Sequence, residues 1–379
     1  MHRFPLDRRQ FLLSTGALAM TSATTGALAA PFAWTSVAPA DVGFAPDLPA
    51  RLDTAIAAGN LPNLHGVVVA RAGKLVLERY VPGVDESWGQ PLGTVDFGST
   101  TLHDLRSVTK SIVGLLYGIA LSQGKVPAPD QPLLAQFPEY PDLAADPARQ
   151  KLTVGHVLTM TMGTDWNEDV PYTSPANSEI AMELAPDRYR FILERPVVGE
   201  PGARWTYSGG ATALLGRLIA QGTGRPLPDF ARDALFTPLG IGAFEWVRGI
   251  DKVTPSAASG LRLAPRDLAR IGQMILQNGT WDGHPVVPAS WLAAALQDRV
   301  GIDEFRRYGY QWYIGAFLVS ADGGRRERWT GAAGNGGQRL YVMPGLDLVV
   351  AMTFGNYNKP DQWQPPLTLL RNVILPAIR

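Results

Sequence analysis

The feature that most constrains the fold is an apolar stretch that follows a serine and lysine pair. After Lys110, apolar or small residues fill almost every position from 111 to 120. Such a run offers water no polar face, so it predicts a helix buried on nearly all sides. Ser107 lies at the predicted start of this helix, and Lys110 follows one turn later. Because positions three apart share a helix face, the hydroxyl and the amine can meet.

This pair has a chemical interpretation and a plain one. A serine hydroxyl becomes a nucleophile when a neighbouring base takes its proton, and a buried lysine can be that base. The helix N-terminus adds partial positive charge and free N–H groups where an oxyanion would form. Alternatively, Ser107 caps the helix and Lys110 extends to solvent. Because Ser-x-x-Lys is common by chance, the rest of the chain has to decide between the two.

Composition excludes several classes of function. The 379 residues have a formal net charge of zero, from 34 basic and 34 acidic side chains. No basic run suggests a nucleic-acid partner or an anionic membrane. The chain has no cysteine, which excludes disulfides, thiolate nucleophiles and cysteine-based zinc sites. The length suffices for one large domain with a substantial core.

Residues 1–30 have the pattern of an export signal. Arg8 and Arg9 precede a weakly apolar stretch, and residues 27–29 read Ala-Leu-Ala, a small-x-small cleavage site. The pattern predicts a twin-arginine signal peptide, followed by a mature domain over 31–379. An anchor helix is the alternative, but the threonines and glycines of the segment make it weakly apolar. We expect a periplasmic or secreted protein with no stable membrane anchor after signal cleavage.

The order of the predicted elements indicates the architecture. Two apolar runs within 64–80 flank a turn at 71–74, which predicts a hairpin. Strands also dominate the last third, where 338–354 predicts a hairpin turned at 344–345. The middle of the chain is helical, and 81–101 is expected to be a loop. This order predicts an α/β (α+β) fold, in which N- and C-terminal segments build one antiparallel sheet flanked by helices.

A helical lobe is inserted into that sheet domain. We place the α/β lobe at 45–125 plus 255–379 and the all-helical lobe at 126–254. Within the helical lobe, Tyr207 lies in a Gly-rich turn just before a predicted helix, a location that often presents functional side chains. A tyrosine lying on the surface of the helices is the alternative.

Metal and histidine chemistry have little support in the sequence. Asp165, Glu168 and Asp169 lie close together, but they lack the ligand spacing and central glycine of a calcium loop. The histidines at 65, 103, 156 and 284 fall in separate segments without ligand spacing. We therefore expect no metal and no cofactor, and a Ser-His-Asp triad is a minor alternative.

Taken together, these pieces resemble the penicillin-recognising serine hydrolases. The features are Ser-x-x-Lys on a buried helix, a Tyr-Ser turn about one hundred residues on, and a Gly-rich strand near the C-terminus. The resemblance is to the class C β-lactamase-like branch, and within it to 6-aminohexanoate-dimer hydrolases and related esterases. It covers nearly the whole mature chain, and its most specific segments are 106–111, 165–169, 260–270, 308–312 and 334–338.

The resemblance implies a β-lactamase/transpeptidase-like fold and a set of catalytic roles. Ser107 would be the nucleophile and Lys110 its proton partner. Tyr207 would be the second general base and acid, which takes the serine proton and delivers it to the leaving group. The backbone N–H of Ser107 would form one half of the oxyanion hole.

The other half of the oxyanion hole would come from a C-terminal strand that normally carries Lys-Thr-Gly. Residues 329–331 are one placement, with Trp329 where the lysine would be. Residues 332–334 are the other, which makes the N–H of Asn335 the donor, and we prefer it because 334–338 has the spacing of the amide-hydrolase branch. Gly337 and Gln338 belong to that segment and are expected to contact substrate.

Two departures from the family pattern bear on the substrate. Gly209 and Ala211 stand where the family commonly has asparagine after the tyrosine, and the strand has no lysine to bind the carboxylate of a penicillin. Both count against an efficient β-lactamase or a peptidoglycan carboxypeptidase. Trp166, Tyr172 and Trp329 are candidates for the substrate wall, with ordinary packing as the alternative.

We predict a serine hydrolase that acts through an acyl-enzyme on a small ester or amide. The alternatives are β-lactamase or D,D-peptidase activity, and a non-catalytic envelope protein that binds peptides. The expected partner is a small-molecule substrate and not a nucleic acid. We expect a monomer or a homodimer.

Overall fold

An antiparallel sheet of eight strands forms the centre of the computed structural model, which describes residues 33–319 and 325–379. The predicted export signal lies outside these residues. The strands are, in chain order, β1 (Leu64–Arg71), β2 (Lys74–Tyr80), β3 (Gly83–Ser87), β4 (Gln90–Val95), β5 (His103–Asp104), β6 (Glu245–Trp246), β7 (Leu261–Leu263), β8 (Thr280–Trp281), β9 (His284–Pro285), β10 (Val300–Gly301), β11 (Arg306–Tyr308), β12 (Tyr313–Leu318), β13 (Arg326–Gly334), β14 (Gln338–Met343) and β15 (Leu348–Phe354).

The sheet joins the two ends of the described chain. Its strand order is β10-β11-β12-β13-β14-β15-β1-β2, so the N-terminal hairpin continues the C-terminal meander through the β1–β15 pair. The sequence of β1 explains its central place, because its β-branched residues Val67, Val68 and Val69 are all fully buried. The predicted fold class is confirmed, and so are the hairpins turned at 71–74 and 344–345.

Helices cover both faces of the sheet and fill the middle of the chain. They are α1 (Leu48–Ala57), α2 (Val108–Ser122), α3 (Pro141–Ala144), α4 (Pro147–Gln150), α5 (Val154–Leu158), α6 (Ser178–Leu184), α7 (Arg188–Leu193), α8 (Gly209–Thr223), α9 (Leu227–Ala231), α10 (Pro265–Leu276), α11 (Ala289–Ala295) and α12 (Gln364–Thr368), which continues as a π-helical turn over Leu369–Ile374. Among the described residues, none of these helices has the length and apolarity needed to span a bilayer.

The two faces of the sheet have different partners. On one face, α1 and the C-terminal helix pack against side chains such as Val67 and Val350. On the other face, α10 packs so closely that a side-chain carbon on Gly272 would meet Val349 at 2.5 Å. Helices α3 to α9 lie between β5 and β7 in the chain. Because Ala33–Arg379 forms one compact unit, the lobe boundaries at 125/126 and 254/255 stay predictions.

One local prediction was wrong. The expected loop over 81–101 contains the β3–β4 hairpin, which sequence periodicity misses because β4 is exposed and includes Pro91 and Gly93. In the last third, a turn at 309–312 separates β11 from β12, and β13 pairs with β14 as far as Gly334.

Candidate active site

A strained residue places Ser107 at the start of α2. Arg106, the residue before it, has φ +48°, a left-handed conformation that costs a non-glycine residue about 1 kcal/mol or more. Ion pairs of its side chain with Glu86 and Asp104 hold this conformation. Helix α2 is buried from Val108 to Ala120, as its sequence predicted. The serine is therefore fixed at the end of a rigid, buried helix.

Lys110 turns toward the serine and not toward solvent. Its Nζ donates to Ser107 Oγ at 3.1 Å and to the backbone oxygen of Ala258 at 3.0 Å. The residue is 2% exposed. The plain interpretation of the pair, a capping serine with a solvent-exposed lysine, therefore does not hold, and Ser107 makes no side-chain capping bond.

Tyr207 completes the arrangement around the serine hydroxyl. Its phenol interacts with the Ser107 side chain, and its ring centroid lies 4.8 Å from Lys110 Nζ. Burial, followed by the neighbouring Tyr313 and two glutamates, holds the pKa of Tyr207 well above its usual value. The resting group is thus the neutral phenol. The Tyr207 phenol can accept the serine proton only if it loses its own hydroxyl proton in the same step. This favours Tyr207 as the acid that protonates the leaving group.

A pair of glutamates beside Lys110 was missed by the sequence analysis. Glu179 Oε2 lies 3.9 Å from Lys110 Nζ. Glu168 accepts hydrogen bonds from the backbone N–H of Gly209 at 2.5 Å, from the indole N–H of Trp166 at 2.6 Å and from the Tyr172 hydroxyl at 2.9 Å. Burial and the charge of Glu179 raise the pKa of Glu168. The pair thus tends toward one negative charge next to the Lys110 amine.

These carboxyl groups occupy the place where the family's asparagine was expected. A side-chain carbon on Gly209 would lie 2.5 Å from Glu179 Oε2 and 3.3 Å from Glu168 Oε1. Glycine is therefore required at this position for the glutamates to approach Lys110. No motif signals such a pair, because the two residues come from a loop and from α6. Glu168, directly after Trp166-Asn167, was the sequence feature that could have indicated this carboxyl pair.

Glu179→Gln is expected to lower kcat/KM by about 10- to 100-fold. The substitution keeps the shape of the side chain but removes the charge that opposes the positive charge of Lys110 while the serine proton moves. Steady-state kinetics on one ester substrate would measure the loss. Glu183→Gln is the matched control, because Glu183 is equally buried on α6 but pairs with Arg188 at 3.3 Å. Equal losses in both variants would contradict a specific role for Glu179.

On the strand side of the cleft, the contacts favour residues 332–335 as the segment that completes the oxyanion hole. A side-chain carbon on Gly334 would meet the backbone oxygen of Leu105 at 2.3 Å, so only glycine lets β13 approach the nucleophile segment this closely. Ser107, Ala333, Gly334 and Asn335 line one cleft of about 530 Å³. Residues 329–331 do not line it. The N–H groups of Ser107 and Asn335 stay our assignment for the oxyanion hole.

The predicted substrate-wall residues separate into different places. Tyr172 lines the Ser107 cleft. Trp166 does not line this cleft, because its side chain is only 6% exposed and its indole N–H donates to Glu168. Trp329 packs with Phe317 and Tyr341 and lines a neighbouring cavity.

Gly337 and Gln338 support the cleft without lining it. The amide of Gln338 is fully buried; it bonds the backbone N–H and oxygen of Phe354 and the backbone oxygen of Asn335. The N–H of Gly337 donates to Gly334 O at 3.2 Å. The expectation that they touch substrate is therefore replaced by a positioning role for Asn335.

A buried histidine network lies behind the nucleophile segment. Among the described residues, His65, Asp85 and His103 form the one group that offers metal-ligand atoms within 4.8 Å of one another. The ring nitrogens of the histidines are 2.9 Å apart, and Tyr357 donates to Asp85 Oδ1 at 2.8 Å. Two nitrogens on a tetrahedral zinc would be about 3.3 Å apart. The spacing therefore fits an N–H···N hydrogen bond. Neither imidazole lines the Ser107 cleft, which disfavours a Ser-His-Asp triad.

This network should make the protein sensitive to acid. Burial lowers the pKa of His65 to about 4 and of His103 to about 3. An unfolded imidazole has a pKa near 6.5, so the unfolded chain binds more protons below that pH. The histidine contribution is fully present above about pH 6.5 and is lost as pH falls. We expect each imidazole to cost about 2–3 kcal/mol of unfolding free energy by pH 4.5.

Urea unfolding between pH 7 and 4.5 would measure this loss. His103→Gln should flatten the pH dependence relative to wild type, whatever its stability at neutral pH. His284→Ala is the control, because His284 is exposed at the start of β9. The same slope in wild type and His103→Gln would contradict the prediction.

Ser107 lies at the N-terminus of a buried helix, Lys110 and Tyr207 lie beside its hydroxyl, and β13 forms the edge of the cleft. This arrangement defines a class of serine hydrolases that form acyl-enzymes. The comparisons agree. Residues 54–368 match the family model named Beta-lactamase, and the chain belongs to this family of serine hydrolases.

Named relatives carry amidase, esterase and β-lactamase descriptions. The chain is 25% identical over 286 residues to the 6-aminohexanoate-dimer hydrolase of Paenarthrobacter ureafaciens, covering 70% of this chain and 69% of the relative. It is 30% identical over 182 residues to esterase EstB of Burkholderia gladioli, covering 46% and 44%. A class C β-lactamase structure from Rhodobacter sphaeroides matches with a TM-score of 0.62 at 18% identity, covering 86% and 99%.

Proposed function

We propose that the protein hydrolyses a small linear ester or amide through an acyl-enzyme on Ser107. The observation that carries the proposal is the hydroxyl of Ser107, which accepts a hydrogen bond from Lys110 Nζ at 3.1 Å and shares the cleft with the Tyr207 phenol. The relatives named as an amide hydrolase and an esterase support this substrate class. Strand β13 carries no lysine, and the cations that line the cleft are Lys359, from the loop after β15, and Arg339, from β14.

The reaction would proceed in two steps. Ser107 Oγ attacks the carbonyl carbon while its proton passes to the Lys110–Tyr207 pair, and the oxyanion forms at the N–H groups of Ser107 and Asn335. The bond from the carbonyl carbon to the leaving group then breaks as Tyr207 gives the leaving oxygen or nitrogen a proton. Water attacks the resulting ester of Ser107 by the reverse proton path, which releases the acid and restores the serine.

Intact-mass spectrometry of the purified domain tests this proposal. The protein would be mixed in turn with a short acyl ester, a linear amide and a penicillin, with peptide mapping of any adduct. We expect a transient acyl adduct on Ser107 with the ester or the amide, together with product. A stable adduct without turnover would favour a non-catalytic binding protein. Turnover of the penicillin with no adduct from the others would favour the β-lactamase alternative.

We further propose that residues 1–30 direct export of the domain by the twin-arginine route. The support is Arg8-Arg9, the weakly apolar stretch and the Ala-Leu-Ala site. N-terminal sequencing of the protein from cell fractions would test it. Arg8→Lys with Arg9→Lys should leave the uncleaved protein in the cytoplasm, and unchanged processing would overturn the proposal.

Light scattering of the processed protein tests the predicted monomer or homodimer.

A further inference from the structure

A second cavity, of about 800 Å³, adjoins the Ser107 cleft. It lies along β12, β13 and β14 on the face that packs against the C-terminal helix. Ala333, Arg339 and Trp363 line both spaces. A substrate whose carbonyl lies at Ser107 can therefore extend one arm into this cavity without crossing the sheet.

The cavity has an excess of positive charge. Arg306 is paired with Asp303 at 2.6 Å. Arg339 and Arg371 have no carboxylate within ion-pair distance in 33–319 and 325–379. Arg339 uses one nitrogen on the backbone oxygens of Gly334 and Gln338, at 3.2 and 2.7 Å. Arg371 stacks over the ring of Phe317 at 5.2 Å. Two guanidinium groups thus face the cavity with donors to spare.

The remaining wall is aromatic. Tyr313, Trp329 and Tyr341 form the floor, and the large side chains of Phe305 and Trp363 are 72% and 51% exposed at the rim. The indole N–H of Trp329 is buried and has no hydrogen-bond partner within the described part of the chain. Exposed aromatic side chains beside a cleft favour contact with an apolar ligand segment.

We propose that this cavity is a subsite for a substrate arm with an apolar body and a terminal carboxylate. The aromatic wall would contact the body, and Arg339 and Arg371 would bind the carboxylate. This inference rests on the proposed hydrolase function and narrows its substrate class. It also gives Trp329 a place in substrate binding, in a subsite beside the nucleophile cleft.

Matched substrate pairs test the subsite. One pair is 4-nitrophenyl hexanoate and the 4-nitrophenyl half-ester of adipic acid, which differ by a carboxylate on the acyl arm. The other pair is the acetate ester of 3-(4-hydroxyphenyl)propionic acid and of its methyl ester, which differ on the leaving-group arm. In one of the two pairs, we expect kcat/KM for the anion to exceed that for the neutral ester by about 5- to 50-fold.

Arg371→Gln and Arg339→Gln should each lower this anion-to-neutral ratio by about fivefold or more. The ratio is the readout because it cancels losses that affect both esters of a pair. Arg328→Gln is the control, since Arg328 is exposed on β13, pairs with Asp298 and does not line the cavity. Ester turnover without anion preference, or an unchanged ratio in both variants, would overturn the subsite alone. Absence of turnover with all four esters would instead overturn the hydrolase proposal.

Discussion

Replacement of Ser107 by alanine is expected to lower kcat by about 10⁴–10⁶ and to abolish covalent labelling by a fluorophosphonate probe. The hydroxyl is the only side-chain nucleophile held between Lys110 and Tyr207 within the described chain. Without it, the oxyanion donors remain, but no acyl-enzyme can form. Single-turnover kinetics and gel detection of the probe would measure both effects.

Ser111→Ala is the matched control for that experiment. Ser111 lies one turn further along α2, is 3% exposed and donates to the backbone oxygen of Gln311 at 2.6 Å. Its loss should cost about 1–2 kcal/mol of unfolding free energy and leave labelling intact. Labelling that survives in Ser107→Ala, or that disappears in Ser111→Ala while the protein stays folded, would refute Ser107 as the nucleophile.

The sequence predicted what depends on local pattern. The apolar run after Lys110 specified a buried helix, and the turn at 71–74 fixed the first hairpin. These features involve neighbouring residues, and each has a distinct period or turn signature. The Ser107–Lys110 contact follows from the same logic, because it spans a single helical turn.

What the sequence could not predict depends on contacts between distant segments. Glu168 and Glu179 meet Lys110 only because a loop and α6 fold against α2, and neither residue lies in a recognisable motif. Trp166 was expected at the substrate, but the close approach of its ring to Gly210 places it behind Glu168. Likewise, the two arginines of the second cavity come from β14 and the C-terminal helix, so their convergence appears only in the folded chain.

Tyr207→Phe is expected to lower the rate on an amide substrate by about 10²–10⁴. The phenylalanine ring keeps the contacts with Trp205 and Lys110 but has no hydroxyl on Ser107. The amine of an amide is a strongly basic leaving group that must be protonated as it departs, and the neutral phenol supplies that proton. The 4-nitrophenolate of an activated ester departs as a stable anion without a proton, and Lys110 can still take the serine proton. The loss should therefore be much smaller with the activated ester.

Comparing kcat/KM for a linear amide and for a 4-nitrophenyl ester of the same acid separates these roles. Tyr308→Phe is the control, because Tyr308 is buried against Trp205 and its phenol does not reach Ser107. An unchanged amide rate in Tyr207→Phe would remove Tyr207 from proton transfer. An equal loss with both substrates would assign it to activation of the serine, since that step is common to both. A loss confined to the amide would make Tyr207 the acid and leave Lys110 as the base.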